Sequence, residues 1–135
     1  MTASGSCLCG AIRFEVTGPL RQVIACHCRQ CRKTSGHHVA ASAALRPELS
    51  VRGEDNLTWY ASSDTARRGF CATCGSQLFW DQYASDTISI FAGTLDGETG
   101  VSIAQHIFCA DKGDYYALDD SAEKFAQGSD GDCWA

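Results

Sequence analysis

The segment Cys71-Ala72-Thr73-Cys74-Gly75 decides the fold, because its two cysteines need partners from another part of the chain. Cysteines three positions apart close a tight knuckle on a metal ion, and the glycine that follows relieves the turn. A second pair, Cys7-x-Cys9, places both sulfurs on one side of an extended segment. Each pair alone is an incomplete site, so together they predict one closed four-thiolate zinc that clamps the first strand to the middle of the chain. The sequence leaves open that each pair binds a different ion.

A third cysteine motif lies between these two pairs. Cys26-x-Cys28-x-x-Cys31 supplies three thiolates and no fourth ligand within the motif. Zn²⁺ on three thiolates carries a net charge of about −1, which suits an incoming thiol better than it suits activation of water. The motif therefore predicts a second zinc with an open coordination position, which would be the functional centre. The alternative is a closed site completed by one further residue, for which the candidates are His27, His38, His106 and Cys109.

Basic residues surround the third motif. Arg29, Arg32 and Lys33 lie within or just after it, and Arg67 and Arg68 come shortly before the knuckle. In an acidic protein, this local excess of positive charge predicts a binding site for a small ligand that bears carboxylates. The alternative for each residue taken singly is ordinary surface charge on a solvated turn.

The composition predicts a single domain over residues 1–135, in the cytoplasm. The chain has 11 Lys and Arg against 16 Asp and Glu, a formal net charge of −5, which argues against nonspecific binding to nucleic acid or to an anionic membrane. It shows no charged leader followed by an apolar segment, and no apolar run near the ~20 residues that a membrane span needs. The nine cysteines could also form a secreted disulfide scaffold, but their odd number and close spacing favour metal binding.

Short apolar segments separated by turns predict a mainly β fold. The predicted strands are residues 12–16, 20–25, 38–45, 49–51, 57–60, 67–70, 87–92 and 101–108, and residues 29–34 are predicted to form one helical turn. Residues 111–135 are acidic, rich in small residues and poorly patterned, which predicts a peripheral tail.

Three stretches of the chain carry a family resemblance. They are Gly5-Ser6-Cys7-Leu8-Cys9-Gly10-Ala11-Ile12-Arg13-Phe14, Ala25-Cys26-His27-Cys28-Arg29-Gln30-Cys31-Arg32 and Arg68-Gly69-Phe70-Cys71-Ala72-Thr73-Cys74-Gly75-Ser76. In this order they resemble the glutathione-dependent formaldehyde-activating enzyme family, also called the S-(hydroxymethyl)glutathione synthase or centromere protein V family. The resemblance covers roughly residues 4–120 and extends to Ala92-Gly93-Thr94-Leu95-Asp96 and Gln105-His106-Ile107.

The resemblance implies a fold, two metal sites and an activity. The fold would be a β-tent of packed antiparallel sheets stapled by zinc. A structural zinc would lie on Cys7, Cys9, Cys71 and Cys74, and a catalytic zinc would lie on Cys26, Cys28 and Cys31. The activity would be that of a carbon–sulfur lyase, the reversible condensation of formaldehyde with glutathione.

Combining the resemblance with the residues gives roles within the site. The open zinc would hold glutathione as a thiolate or polarise the aldehyde, while Arg29, Arg32 and Lys33 bind the peptide carboxylates. The zinc or His106 would stabilise the developing alkoxide. The alternative function is a noncatalytic zinc module that binds glutathione or a protein partner.

Overall fold

The computed structural model of the chain describes residues 2–134. A three-stranded sheet contains β1 (Ala3–Ser6), β2 (Arg13–Val16) and β5 (Leu49–Arg52). An eight-stranded sheet contains β3 (Val23–Cys26), β4 (Val39–Leu45), β6 (Leu57–Ala61), β7 (Ala66–Cys71), β8 (Gln77–Gln82), β9 (Thr87–Phe91), β10 (Ile103–Ile107) and β11 (Glu123–Lys124). The helix α1 (Arg29–Ser35) follows β3. None of the helices in the described range is long and apolar enough to cross a membrane.

The protein is mainly β, as the sequence predicts, but its larger sheet is mixed. The strand order is β1-β2-β5 in the small sheet and β11-β10-β3-β4-β9-β8-β7-β6 in the large one. Neighbours are antiparallel except that β10 runs parallel to both β3 and β11. A parallel pair of strands needs a connection longer than a hairpin turn. β10 follows β9 in the chain but does not pair with it, since β3 and β4 lie between them in the sheet. The expectation of purely antiparallel sheets therefore holds for every pairing except those two.

The apolar core lies between the two sheets. Phe14 and Val16 from β2 face Phe79 and Ile90 from the large sheet, and each of these side chains is at most 2% exposed. The rings of Phe14 and Phe79 meet edge to face with their centroids 5.4 Å apart. β2 alternates exposed and buried residues, which is the pattern of a strand with one face on the core. This packing holds β1 and β2 against the large sheet and brings the two distant cysteine pairs together.

Gly5 sets how closely β1 approaches the rest of the protein. A side-chain carbon at this position would lie 2.3 Å from both the Phe14 ring and the Thr94 carbonyl oxygen. Gly5 also forms an isolated bridge with Leu95. The absence of a side chain thus allows the strand that leads into Cys7 to lie directly on the core.

Residues 111–134 lie along the edge of the large sheet. β11 pairs with β10, and backbone hydrogen bonds connect Cys109 with Phe125 and Phe108 with Gln127. Main-chain pairing of this kind needs no apolar alternation, so the composition of the segment gives no sign of it. One consequence is that Tyr116 and Asp120 reach the buried side chains of His27 and His106, while Tyr115 reaches the exposed His37.

Candidate metal and active site

Cys7, Cys9, Cys71 and Cys74 form the first cysteine group. Their sulfur atoms all lie within 4.8 Å of one another, with Cys7 and Cys9 at 3.6 Å and Cys9 and Cys71 at 3.7 Å. Sulfurs bound at about 2.3 Å to a tetrahedral ion are about 3.8 Å apart. The group therefore fits one tetrahedral metal ion shared by both pairs, which is the first of the two arrangements that the sequence allows.

Hydrogen-bond donors surround the sulfurs of the first group. Ile12 N donates to Cys7 Sγ at 3.3 Å, and Asn56 Nδ2 donates to Cys71 Sγ at 3.2 Å. The Ser76 hydroxyl, 3.1 Å from Cys74 Sγ, lowers the pKa of Cys74 to about 5. Such donors stabilise the thiolate, which is the form that binds a metal. Because the ligands come from the β1–β2 turn and the β7–β8 knuckle, an ion here would tie the two sheets together.

Cys26, Cys28 and Cys31 form the second cysteine group, with all sulfurs within 4.8 Å of one another. Cys26 ends β3, Cys28 is the N-cap of α1, and Cys31 N donates to Cys28 Sγ at 3.4 Å. The cap thus places two of the sulfurs on the same side of the first helical turn. Within residues 2–134 no histidine, carboxylate or fourth cysteine joins the group at this distance. The second group therefore offers three protein ligands, and all nine cysteines of the chain are free of disulfides.

The three thiols of the second group share their charge unequally. Hydrogen bonds with Cys26 and Cys31 lower the pKa of Cys28 far below its ordinary value, whereas the bond with Cys28 raises the pKa of Cys26. These directions favour ionisation of Cys28 before Cys26. Ligation of a metal by all three sulfurs would release the remaining protons.

Arg68, on β7, is a buried cation beside the second group. Its side chain is 5% exposed, and its Nη2 donates to Cys31 Sγ at 3.6 Å. Its Nη1 donates to Thr34 Oγ1 at 3.4 Å, while Nε is buried without a partner. Among the ion pairs of the described residues, none joins Arg68 to a carboxylate. A buried guanidinium needs a compensating anion, so its place beside the cysteines supports an ionised, metal-binding group.

The basic residues of α1 differ in their relation to the second group. Arg29 and Lys33 are exposed, whereas Arg32 is half-buried and its Nε has no hydrogen-bond partner. With about 3.6 residues per turn, Arg32 lies on the flank of the helix that carries Cys28 and Cys31, and the other two lie further round. Arg32 is thus the best placed of the three to reach a ligand at the cysteines.

The structure does not bring His106 to the second group. On β10, His106 pairs with Ala25, and the next residue of the strand pairs with Cys26. Because side chains alternate along a strand, His106 and Cys26 point to opposite faces of the sheet. Both ring nitrogens of His106 are engaged, Nδ1 by His27 Nε2 at 2.9 Å and Nε2 by Asp120 Oδ2 at 2.8 Å.

Comparison with known proteins finds a family model that matches most of the chain. The model of the family described as glutathione-dependent formaldehyde-activating enzyme matches residues 2–111. The chain belongs to this family. The matched range includes both cysteine groups and Arg68, and it ends before Tyr116 and Asp120.

Relatives of the chain include one protein named as a lyase and one that carries the name of the family. An uncharacterized lyase of Schizosaccharomyces pombe is 31% identical over 124 residues, which are 90% of this chain and 88% of the relative. A Halomonas elongata protein provisionally named glutathione-dependent formaldehyde-activating enzyme is 30% identical over 107 residues, 73% of this chain and 68% of the relative. The crystal structure of a Rhodobacter sphaeroides protein has a TM-score of 0.61 at 30% identity, over 72% of this chain and 91% of that one.

Sequence reasoning does not identify several residues around the cysteine groups in the roles that they have. Arg68 is predicted only as one of several basic residues for a carboxylate ligand, whereas its contact is with a cysteine sulfur. Tyr116 and Asp120 lie in the segment predicted as a peripheral tail, yet they hydrogen-bond His27 and His106. The available signal was the cluster of polar and aromatic residues at 114–120, which a solvated tail does not require.

Proposed function

We propose that the protein joins a small thiol, glutathione in the first instance, to formaldehyde or another small aldehyde. The reaction would take place at Cys26, Cys28 and Cys31 with a zinc ion, while a second zinc on Cys7, Cys9, Cys71 and Cys74 stabilises the fold. The observation that carries the proposal is the difference between the groups, since one offers four sulfurs and the other three. A closed site favours a structural role and an incomplete one leaves a position for substrate.

The chemistry requires no oxidant or reductant. The thiolate sulfur forms a bond to the carbonyl carbon, the π electrons of the carbonyl move to its oxygen, and that oxygen takes up the proton that the thiol gave away. A zinc ion on the three cysteines would keep the incoming thiol ionised at neutral pH. Arg68 would offset the negative charge that accumulates when a further thiolate approaches a group already bearing three.

Arg32 and its neighbours on α1 would orient glutathione. The tripeptide has two carboxylates, and a guanidinium binds a carboxylate through paired hydrogen bonds. Arg32 has an unpartnered Nε and lies on the cysteine side of the helix, so we assign it the nearer carboxylate. Arg29 and Lys33, which are exposed, would contribute longer-range attraction. His106 faces the other side of the sheet, so we do not assign it to the aldehyde.

The structure favours an enzyme over the noncatalytic binding module, since no fourth protein ligand in the described range joins the second group. The free cysteines suit a reducing compartment, and we propose that the protein works in the cytoplasm.

Exchange NMR on mixtures of formaldehyde and glutathione tests the proposal, because the adduct also forms spontaneously. We expect the wild-type protein to accelerate interconversion of free and adduct glutathione, and Cys28→Ala to abolish the acceleration. Cys133→Ala removes a cysteine outside both groups and is the control, which should behave as wild type. Equal exchange rates with wild type, with Cys28→Ala and without protein would contradict the proposed function.

A further inference from the structure

His27 lies between two ligands of the second cysteine group, and its ring is held at both ends. The residue is completely buried, and its ring Nδ1 contacts the Tyr116 hydroxyl. Its Nε2 contacts His106 Nδ1 at 2.9 Å, and His106 Nε2 contacts Asp120 Oδ2 at 2.8 Å. The four side chains thus form one continuous chain of hydrogen bonds, from Tyr116 to the exposed carboxylate of Asp120.

With both imidazoles neutral, the chain of hydrogen bonds can run in only one direction. Asp120 as a carboxylate can only accept, so His106 carries its proton on Nε2 and accepts at Nδ1. His27 must then donate from Nε2 and accept at Nδ1, where the Tyr116 hydroxyl donates.

Hydrogen bonds fix the main chain of His27 as well as its ring. The backbone N of His27 also donates to Ile107 O at 3.0 Å, so both the main chain and the side chain of this residue are anchored on β10. The peptide groups on either side of His27 belong to Cys26 and Cys28. A rotation of the backbone at His27 that moves one of these sulfurs therefore strains or breaks a buried hydrogen bond of His27.

We propose that His106, Asp120 and Tyr116 are positioning residues that hold the sulfurs of Cys26 and Cys28 in place through His27. This inference rests on the proposed function, since it concerns the metal affinity of the second group. It gives residues 111–120 a part in the site although none of them touches a cysteine of that group. Substitution of His106, Asp120 or Tyr116 loosens the second cysteine group. It leaves the first group unchanged, because that group lies on other elements.

Titration with Co²⁺ tests the proposal without reference to activity, because thiolate-bound cobalt has visible absorption bands that report ligand number. His106→Phe keeps a ring of similar size but cannot accept from His27, and Tyr116→Phe removes a single hydroxyl at a half-buried position. Loss of a residue that orients metal ligands typically weakens the metal by about tenfold to a hundredfold. We expect a loss of this size for the second group and an unchanged affinity for the first.

The control is Gln105→Met, in the same strand. Gln105 is also buried, and its side chain accepts from Ser129 Oγ at 2.6 Å, so the variant loses a comparable hydrogen bond away from His27. Both cobalt sites should survive in it. Unchanged affinity at the second group in both His106→Phe and Tyr116→Phe would overturn the proposal, as would an equal loss at both groups. A wild-type protein that binds only one cobalt ion would overturn the proposed function itself, and this inference with it.

Discussion

Arg68 Nη2 lies 3.6 Å from Cys31 Sγ, which brings a buried cation from β7 against the helical cysteine of the second group. The contact joins two parts of the large sheet that are distant in its strand order, β3 with its following helix and β7. The charge of the second group therefore depends partly on a residue that cannot bind a metal. Substitution of Arg68 can test this charge compensation separately from metal ligation by the cysteines.

We expect Arg68→Met to weaken zinc binding at the second group by about tenfold, because the thiolates lose their buried counter-charge. Arg68→Lys keeps the charge and should lose less. Competition with a chromophoric chelator measures both affinities. Arg67→Met is the control, since the neighbouring arginine bonds Asp81 instead of a cysteine. Wild-type affinity in Arg68→Met would show that the thiolates do not need this cation.

Cys71→Ala should unfold the protein or make it insoluble, because it removes one of the four sulfurs that we propose hold an ion between the two sheets. Cys28→Ala should remain folded, with its melting temperature lowered by less than about 5 °C. Circular dichroism melts and zinc analysis of both variants measure the difference. If the two variants melt equally early, the second group is structural as well.

The strands and the cysteine groups could be predicted from the sequence because their signals are local. β2 shows its apolar alternation in four residues, and the spacing within each cysteine motif limits which metals it can bind. Which face of the sheet a side chain occupies depends instead on register between distant strands. The sequence therefore does not show that His106 lies on the other face of the sheet from Cys26, or that Asp120 reaches His106 on β10.

Gly5→Ala should destabilise the protein by about 1–3 kcal/mol, because the new methyl group would overlap both a ring and a carbonyl oxygen. Gly36→Ala is the control, because a side-chain carbon at Gly36 meets nothing within 4 Å. It measures the general effect of replacing a glycine without steric overlap. The positive φ of 84° at Gly36 makes some loss expected there too, through backbone strain. Chemical denaturation measures both, and a smaller loss at Gly5 than at Gly36 would contradict the argument from overlap.

Asp81 should make stability depend on pH in the acid range. Burial raises the pKa of its carboxyl, but Arg46 at 2.5 Å and Arg67 at 2.9 Å outweigh burial and hold the pKa below its ordinary value. A lowered pKa in the folded state contributes stability above the unfolded value of about 3.9, and the contribution disappears as pH falls through the folded value.

Asp81→Asn should therefore cost about 1–3 kcal/mol at neutral pH, and its difference from wild type should shrink below about pH 5. Denaturation at a series of pH values measures this difference. Asp86→Asn, at an exposed carboxylate close in sequence, is the control. A difference that stays constant down to pH 3 would show that the ionised form of Asp81 contributes nothing.

Glutathione binding should need both the free sulfur and Arg32. S-methylglutathione has the same carboxylates but cannot form a thiolate, so we expect it to bind at least about tenfold more weakly to the zinc-loaded protein. Arg32→Gln should weaken both ligands by a similar factor, because it removes a contact with a carboxylate that the two share. Arg29→Gln lowers the charge equally at an exposed position and should have the smaller effect.

Isothermal titration calorimetry of both ligands on wild type and the two variants separates the sulfur contribution from the carboxylate contribution. Equal affinity for the two ligands would place the sulfur away from the metal, and equal effects of the two arginine variants would assign them a nonspecific electrostatic role.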